Sequence, residues 1–450
     1  MVYDVAIIGG GPVGSTCASL LARAGHNVIV LEKEKFPRDH VGESLLPFCK
    51  PLFDDLEITG EMIKRFSRKP GVKFTSIDNS TSSHWCFGHV IHDDSYLSFH
   101  VLRSEFDKLL LDHSRTLGAE VREEHLVTAI ENTPGQNIKI KYRTKGTTGD
   151  VECRFFIDAS GQDAFYQTRN NTKLKYNDLH RSAFATHWKN VNYDDALKEG
   201  NIQIVYLGGE KKGWIWMIPL ESDRISIGVA LNSDYVKSRF EYYNSIGVKN
   251  VTEQLYLDEL FLAAKANEIL KDAVRIQPVI SISDYSYYSS VQYGENFALL
   301  GDAVAFLDPI FSSGIYMGMK SAYVLCNKLS ENLKTGKLSE GFDEVYQEIN
   351  GAYKLIEKFV RLFYSPDRLD MAGLGTSSGM EHLKHENAFS LIHYLLAGDF
   401  FSQHARYSDF IDLLEKPEMF MKFKNLVINT HDSEFGCGHR PEEIYPDLLK

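Results

Sequence analysis

"YDVAIIGGGPVGSTCASLLARAGHNVIVLEKE", residues 3–34, decides the fold. Val5 to Ile8 form a short apolar run without helical periodicity, the pattern of a strand buried on both faces. Gly9, Gly11 and Gly14 follow as G-x-G-x-x-G. In such a turn the first glycine bends the chain and the second lets the backbone approach a pyrophosphate. The third lets helix and strand close up. Ser15 to Ala24 then read as a helix stopped by Gly25, and Val28 to Leu31 as a second strand. Glu32 ends that strand, about twenty residues beyond the glycines, where a carboxylate can accept from a ribose hydroxyl. A lone glycine pattern is weak; strand, turn, helix, strand and acid in order predict a βαβ unit that holds a dinucleotide. The acid disfavours the 2′-phosphate of NADP.

Outward from that unit, 450 residues exceed one ordinary core, so two or more packed units are expected. A net charge of -12 argues against a nucleic-acid partner. No stretch reaches the roughly 18 apolar residues of a membrane span, and no basic leader precedes the first apolar run. Six cysteines are scattered without a CxxC pair. That predicts no zinc ribbon, unpaired thiols and a reducing, cytoplasmic setting. Cys437 and His439 read as loop residues rather than half of a metal site, and His382 and His385 as solvated; no metal is expected.

Two later stretches carry the cofactor. "CRFFIDASGQDA" (153–164) is a strand ending in Asp158, and "NFALLGDAVAFLDPIFSSGIYMGMKSA" (296–322) runs through Gly301-Asp302 into a small-residue turn and a helix. Both resemble motifs of the flavoprotein monooxygenase superfamily, which implies FAD. On that resemblance Asp302 binds the ribityl chain, and the helix start at Gly314 and Ile315 faces the flavin ring. Arg103 reaches the cofactor, and Gly9, Gly11, Pro12, Val13, Gly14, Glu32, Lys33, Arg38 and Val127 complete its contacts.

Between these pieces, runs such as "IQIVYLGG", "GWIWMIPL" and "RISIGVAL" alternate with period 2, the mark of an antiparallel sheet with one face inward. In the second run Trp214, Trp216, Ile218 and Pro219 make W-x-W-x-I-P, and a strand puts Trp214, Trp216 and Ile218 on one face. Ordinary aromatic packing explains that much. W-x-W-x-I-P also resembles the signature of the flavin-dependent halogenases, as "FPRDHVGESLLP" (36–47) resembles the strap linking their flavin and substrate sites.

The halogenase resemblance implies FADH2- and O2-dependent halogenation of an electron-rich aromatic through a flavin C4a-hydroperoxide, hypohalous acid and an active-site lysine. "RFSRKPGVKFTSID" (65–78) places Lys69 at the lysine position, with Lys73 as its rival. In "DPIFSSGIY" (308–316), Ser313 and Gly314 present N–H groups at a helix start, suited to an anion, and the resemblance puts a halide (chloride, bromide or iodide) there. Tryptophan halogenases carry a glutamate before the serine of this turn; here Phe311 precedes Ser312. That departure points to phenols, pyrroles or related rings, free or carried on a protein. It leaves open how the ring proton is removed, with Ser312 a candidate for contacting the lysine. With one dinucleotide fingerprint, a separate flavin reductase is implied, and a homo-oligomer is left open. An aromatic hydroxylase or an isoprenoid reductase of the same superfamily is the alternative.

The fold expected is α/β (α+β). A Rossmann-like FAD domain comprises 1–164 and 291–330, an antiparallel substrate domain 165–290, and a helical region 331–450 closes the substrate pocket. Phe359, Leu362 and Phe363 share a helical face there and read as core, and the final "RPEEIYPDLL" reads as an irregular tail.

Overall fold

The computed structural model describes residues 1–133, 135–365, 371–372, 386–419, 422 and 436–450. His382 and His385 lie outside them. The strand Val2–Ile8, apolar and buried from Val5 onward, sits at the centre of a mainly parallel sheet. Thr148–Asp158 flanks it on one side and Val28–Leu31 on the other, with Phe297–Leu299 and Glu120–Arg122 beyond. The helix Pro12–Arg23 packs between Arg103–Thr116 and Gly314–Thr335 on one face of the central strands, and Val127, Ile138 and Ile140 of the strands Leu126–Glu131 and Ile138–Arg143 cover the other. Strands remote in sequence become neighbours here. The stretch 120–131 forms two strands, Glu120–Arg122 and Leu126–Glu131, separated by a short bend.

The second sheet runs Val274–Arg275, Arg181–Lys189, Arg224–Asn232, Gly213–Pro219, Ile202–Leu207, Gly71–Thr75 and Ser82–Cys86 in spatial order. Its outer face is packed by helices Ser233–Ser245 and Val251–Leu260 around Ile215, Met217 and Ile227. The expected boundary at 165 therefore needs correction. Gly71–Thr75 and Ser82–Cys86 belong to this sheet, because Gly71–Thr75 pairs in parallel with Ile202–Leu207. Among the described residues beyond 331, helices Phe342–Phe363, Glu386–Ala397 and His404–Leu414 predominate. Phe359, Leu362 and Phe363 are buried in the core, as their spacing predicts.

Two further expectations give way. Cys86 and Cys437 are disulfide-bonded across a separation of 351 residues. The premise of unpaired thiols therefore fails for this pair. Nor is the tail irregular: Pro441–Ile444 is a short helix, and Ile444 and Tyr445 are buried. Among the described residues no helix is long and apolar enough to cross a membrane.

Candidate active site

A cavity of about 310 Å³ opens at the carboxyl ends of the parallel strands and extends to the inner face of the second sheet. Its first wall is the glycine turn. A Cβ on Gly14 would lie 2.0 Å from the Gly9 carbonyl, and one on Gly9, at φ +99°, 2.4 Å from the Ala159 carbonyl. Both positions therefore exclude a side chain. Gly11 caps the helix Pro12–Arg23 with no side-chain hydrogen bond. The first-turn N–H groups are thus left for an external anion, and Gly11, Pro12 and Val13 line the cavity.

Glu32 is buried and accepts from the N–H of Gly10 at 2.6 Å and of Glu34 at 2.7 Å. Each oxygen can accept once more, and the residue lines the cavity. Burial pushes its pKa up while these two backbone bonds pull it down. Lys33 pairs with Asp163 at 2.5 Å on the same rim, and Val127 lines the wall nearby. Arg103 and Arg38 also line it, but both are already engaged. Arg103 clasps the buried Asp107 at 2.7 and 2.9 Å and the Val41 carbonyl at 2.7 Å. Arg38 reaches Asp107 at 3.0 Å. The pair therefore anchors segment 40–43 as well as facing the cleft. Asp302, in the turn Gly301–Ala303, has its pKa pushed up to about 6 by burial, against the pull of the Arg103 charge.

The opposite wall belongs to Trp214, Trp216 and Ile218, which share the inner face of Gly213–Pro219 and all line the cavity. The indoles lie 5.2 Å apart, and Trp216 spreads over Gly228, where a Cβ would come within 2.0 Å of its ring. Trp214 Nε1 donates to Asp308 at 3.2 Å, and the same buried carboxylate accepts from Tyr285 and Tyr364. Pro219 is outside the cavity lining.

At the start of the helix Gly314–Thr335, Ser312 takes a left-handed conformation at φ 55° and Ser313 caps the helix. Ser312, Gly314 and Ile315 line the cavity, whereas the Ser313 side chain is buried beside it. Phe311 points elsewhere, stacked on Phe359 with centroids 3.9 Å apart.

Lys69 does not line the cavity; it lies just behind it. Glu43 and Ser44 form cavity wall, and Lys69 Nζ donates to the carbonyl of the next residue, Leu45, at 2.9 Å. Burial lowers its pKa to about 7, with Cys49 opposing the shift. Lys73 is partly exposed on Gly71–Thr75.

Sequence reasoning missed Glu43, whose carboxylate meets His187 Nε2 at 2.5 Å, and His187 in turn meets Arg224 at 2.9 Å. It also missed Asp308, Tyr285 and His100. Asp308 precedes a proline in a quoted motif, a usable turn signal; the others had none. His84, Cys86 and Cys437 form the one close group of potential metal ligands among the described residues, but its two sulfurs are bonded to each other.

A family model described as an FAD binding domain matches residues 2–349. The flavin-dependent halogenase armH3 of Armillaria mellea is 32% identical over 343 residues, 74% of this chain and 68% of that protein. A 1H-pyrrole-2-carbonyl-(peptidyl-carrier protein) chlorinase of Pseudomonas fluorescens is 30% identical over 387 residues, 80% of this chain and 83% of that one. Among solved structures, the flavin-dependent brominase Bmp2 superposes with a TM-score of 0.77 at 25% identity, covering 92% of this chain and 98% of its own. A dinucleotide cleft faced by a tryptophan wall and this kinship agree: the chain belongs to the flavin-dependent halogenases, FAD-binding enzymes of the oxidoreductase class.

Proposed function

We propose that the chain halogenates a small electron-rich aromatic ring, phenolic or pyrrolic, through Lys69. Reduced FAD bound in the cleft would supply, with O2 and a halide ion, an oxidised halogen equivalent. The chain's own residues do the rest. Gly11 to Gly14 hold the pyrophosphate at the helix start, Glu32 the ribose and Asp302 the ribityl hydroxyls. The Gly314 and Ile315 N–H groups, with Ser313, favour a halide beside the ring. Trp214, Trp216 and Ile218 keep an organic molecule out of the cleft, so the oxidising equivalent goes to the ion and not to the substrate.

The observation that carries this reading is the buried Lys69 amine behind the strap residues Glu43–Leu45. Its lowered pKa leaves ammonium and free amine both available near neutrality. The ammonium can polarise hypohalous acid by a charge-assisted hydrogen bond, and the amine can form a haloamine. A hydroxylase would have no use for a lysine set apart from its flavin. The pyrrole chlorinase relative supports a second arm, in which the ring arrives on a carrier protein.

The test is turnover with FADH2 from a separate flavin reductase, O2, bromide and simple phenols or pyrroles, free and carrier-loaded. Brominated product is expected. Lys69→Ala should lose it by about a hundredfold or more, the scale of a general acid–base or charge-stabilising group. FAD titration should be unchanged, and Lys73→Ala should remain active. Bromide-independent hydroxylation would overturn the reading. A dead Lys73→Ala beside an active Lys69→Ala would move the site to Lys73.

A further inference from the structure

The surroundings of Lys69 contain more than a lysine. Ser67–Lys69 pairs antiparallel with Ser98–His100, Ser67 opposite His100 and Lys69 opposite Ser98, and Ser44 bridges to His100 from the other side. Residues opposite one another, and those two along, project to one face. Ser44, Ser67, Lys69, Ser98 and His100 therefore share a face, and all five are buried. Half of that polar face is satisfied. Ser67 donates to the Leu220 carbonyl at 2.6 Å, Lys69 to Leu45, and His100 Nε2 sits 2.9 Å from the Gly200 carbonyl. The hydroxyls of Ser44 and Ser98 and His100 Nδ1 have no partner.

Polar groups buried this fully are rarely left unpartnered, so three beside a lysine call for a ligand. The kind of ligand follows from the donors and acceptors. A carbonyl only accepts, so His100 carries its proton on Nε2 and presents a bare lone pair at Nδ1. Burial first, and the Lys69 charge second, hold the imidazole neutral. A cationic donor, a basic acceptor and two hydroxyls of either sense match a small molecule with one O–H and one electron-rich oxygen. In the turn 308–316, Phe311 is stacked on Phe359, and the one carboxylate, Asp308, is taken up by Trp214, Tyr285 and Tyr364.

We propose that His100 Nδ1 accepts the O–H of the hypohalous acid that Lys69 polarises, and that His100 takes the ring proton. The inference rests on the halogenation reading above. The ring's π pair attacks the halogen, and the halogen–oxygen pair moves to oxygen, which takes a proton from the Lys69 ammonium and leaves as water. The ring C–H pair returns to the ring, and its proton passes through that water to Nδ1. His100 then returns it to Lys69. Ring and hypohalous acid have become halogenated ring and water, with no further reactant.

Two substitutions separate this role from a structural one. His100→Gln keeps an N–H for Gly200 but removes the Nδ1 lone pair; His100→Asn keeps an acceptor near Nδ1 but gives up Gly200. The assay is bromination of phloroglucinol with FADH2, bromide and O2, alongside a dione trap for escaped hypobromous acid. His100→Gln should lose about tenfold or more in kcat, with the missing oxidant in the trap and FAD affinity unchanged. His100→Asn should recover part of the rate. Ser98→Ala, which removes an unpartnered hydroxyl, should keep its Tm yet leak oxidant. If Gln matches the wild type while Asn fails, or if neither His100→Gln nor Ser98→Ala leaks, the histidine is structural and the proposal falls. A wild type that yields neither bromophloroglucinol nor trapped oxidant overturns the halogenation reading instead, and this proposal with it.

Discussion

Burying a lysine amine against a single carbonyl is unfavourable, and Lys69 bears the mark of it in a pKa lowered from 10.5 to about 7. A burial that lowers stability fits the chemical role proposed for Lys69. Lys69→Met keeps the apolar stem and removes the amine. It should raise stability by about 1 kcal/mol or more even after the Leu45 carbonyl loses its partner, while abolishing halogenation. The pH dependence has a definite sign. The unfolded chain binds the lysine proton more tightly than the folded one, so the penalty is fully present below pH 7 and fades as pH rises toward 10.5. Thermal unfolding of the two proteins should therefore show a Tm gap that closes across that window; a constant gap would contradict the lowered pKa. Asp302 makes a complementary case in the cleft. Its carboxylate is held near a pKa of about 6 by burial, and Asp302→Ala should leave the protein folded but weaken FAD by about 10- to 100-fold, the scale of a hydrogen bond to a charged group. A flavin titration measures this, and unchanged affinity would remove Asp302 from the site.

At the scale of elements, what was legible in the sequence is what is local. The turn at Gly9 to Gly14, the following helix and Glu32 all lie within one βαβ unit, so spacing alone reveals them. Trp214, Trp216 and Ile218 share a face because strand geometry requires it. The strand Gly71–Thr75 was illegible because it pairs in parallel with Ile202–Leu207, far along the chain, and such a pairing has no turn to announce it. His100 was illegible for a related reason. Its neighbours Ser44, in an isolated bridge, and Lys69, in another strand, are far along the chain, and only their register shows the shared face. The bond between Cys86 and Cys437 likewise escapes any reading of nearby pairs. That bond ties the terminal helix region to the edge of the second sheet. Denatured without reductant, the chain should therefore expose four thiols, Cys17, Cys49, Cys153 and Cys326. Cys86→Ser should lower stability by about 2–4 kcal/mol in thermal unfolding. Exposure of all six thiols under those conditions would refute the bridge.

At the scale of the whole molecule the two large sheets face one cleft, the parallel one supplying the glycine turn and the other the tryptophan wall. The cleft holds one glycine turn at a helix start, with the acid Glu32 beside it and the tryptophan wall opposite. On the halogenation reading proposed above, reduced flavin comes from a separate reductase rather than from a nicotinamide bound beside the flavin. NADPH or NADH mixed with the FAD-loaded chain should leave the flavin oxidised over the time of many turnovers, as followed by stopped-flow absorbance. Adding a flavin reductase, or chemically reduced FAD, should start product formation at once. The dependence on reductase should be on the FADH2 it releases, so a dialysis membrane between the two proteins should slow the reaction without abolishing it. Rapid reduction of the bound flavin by NADPH alone would mean that this cleft admits a nicotinamide after all, and would turn the assignment toward a hydroxylase.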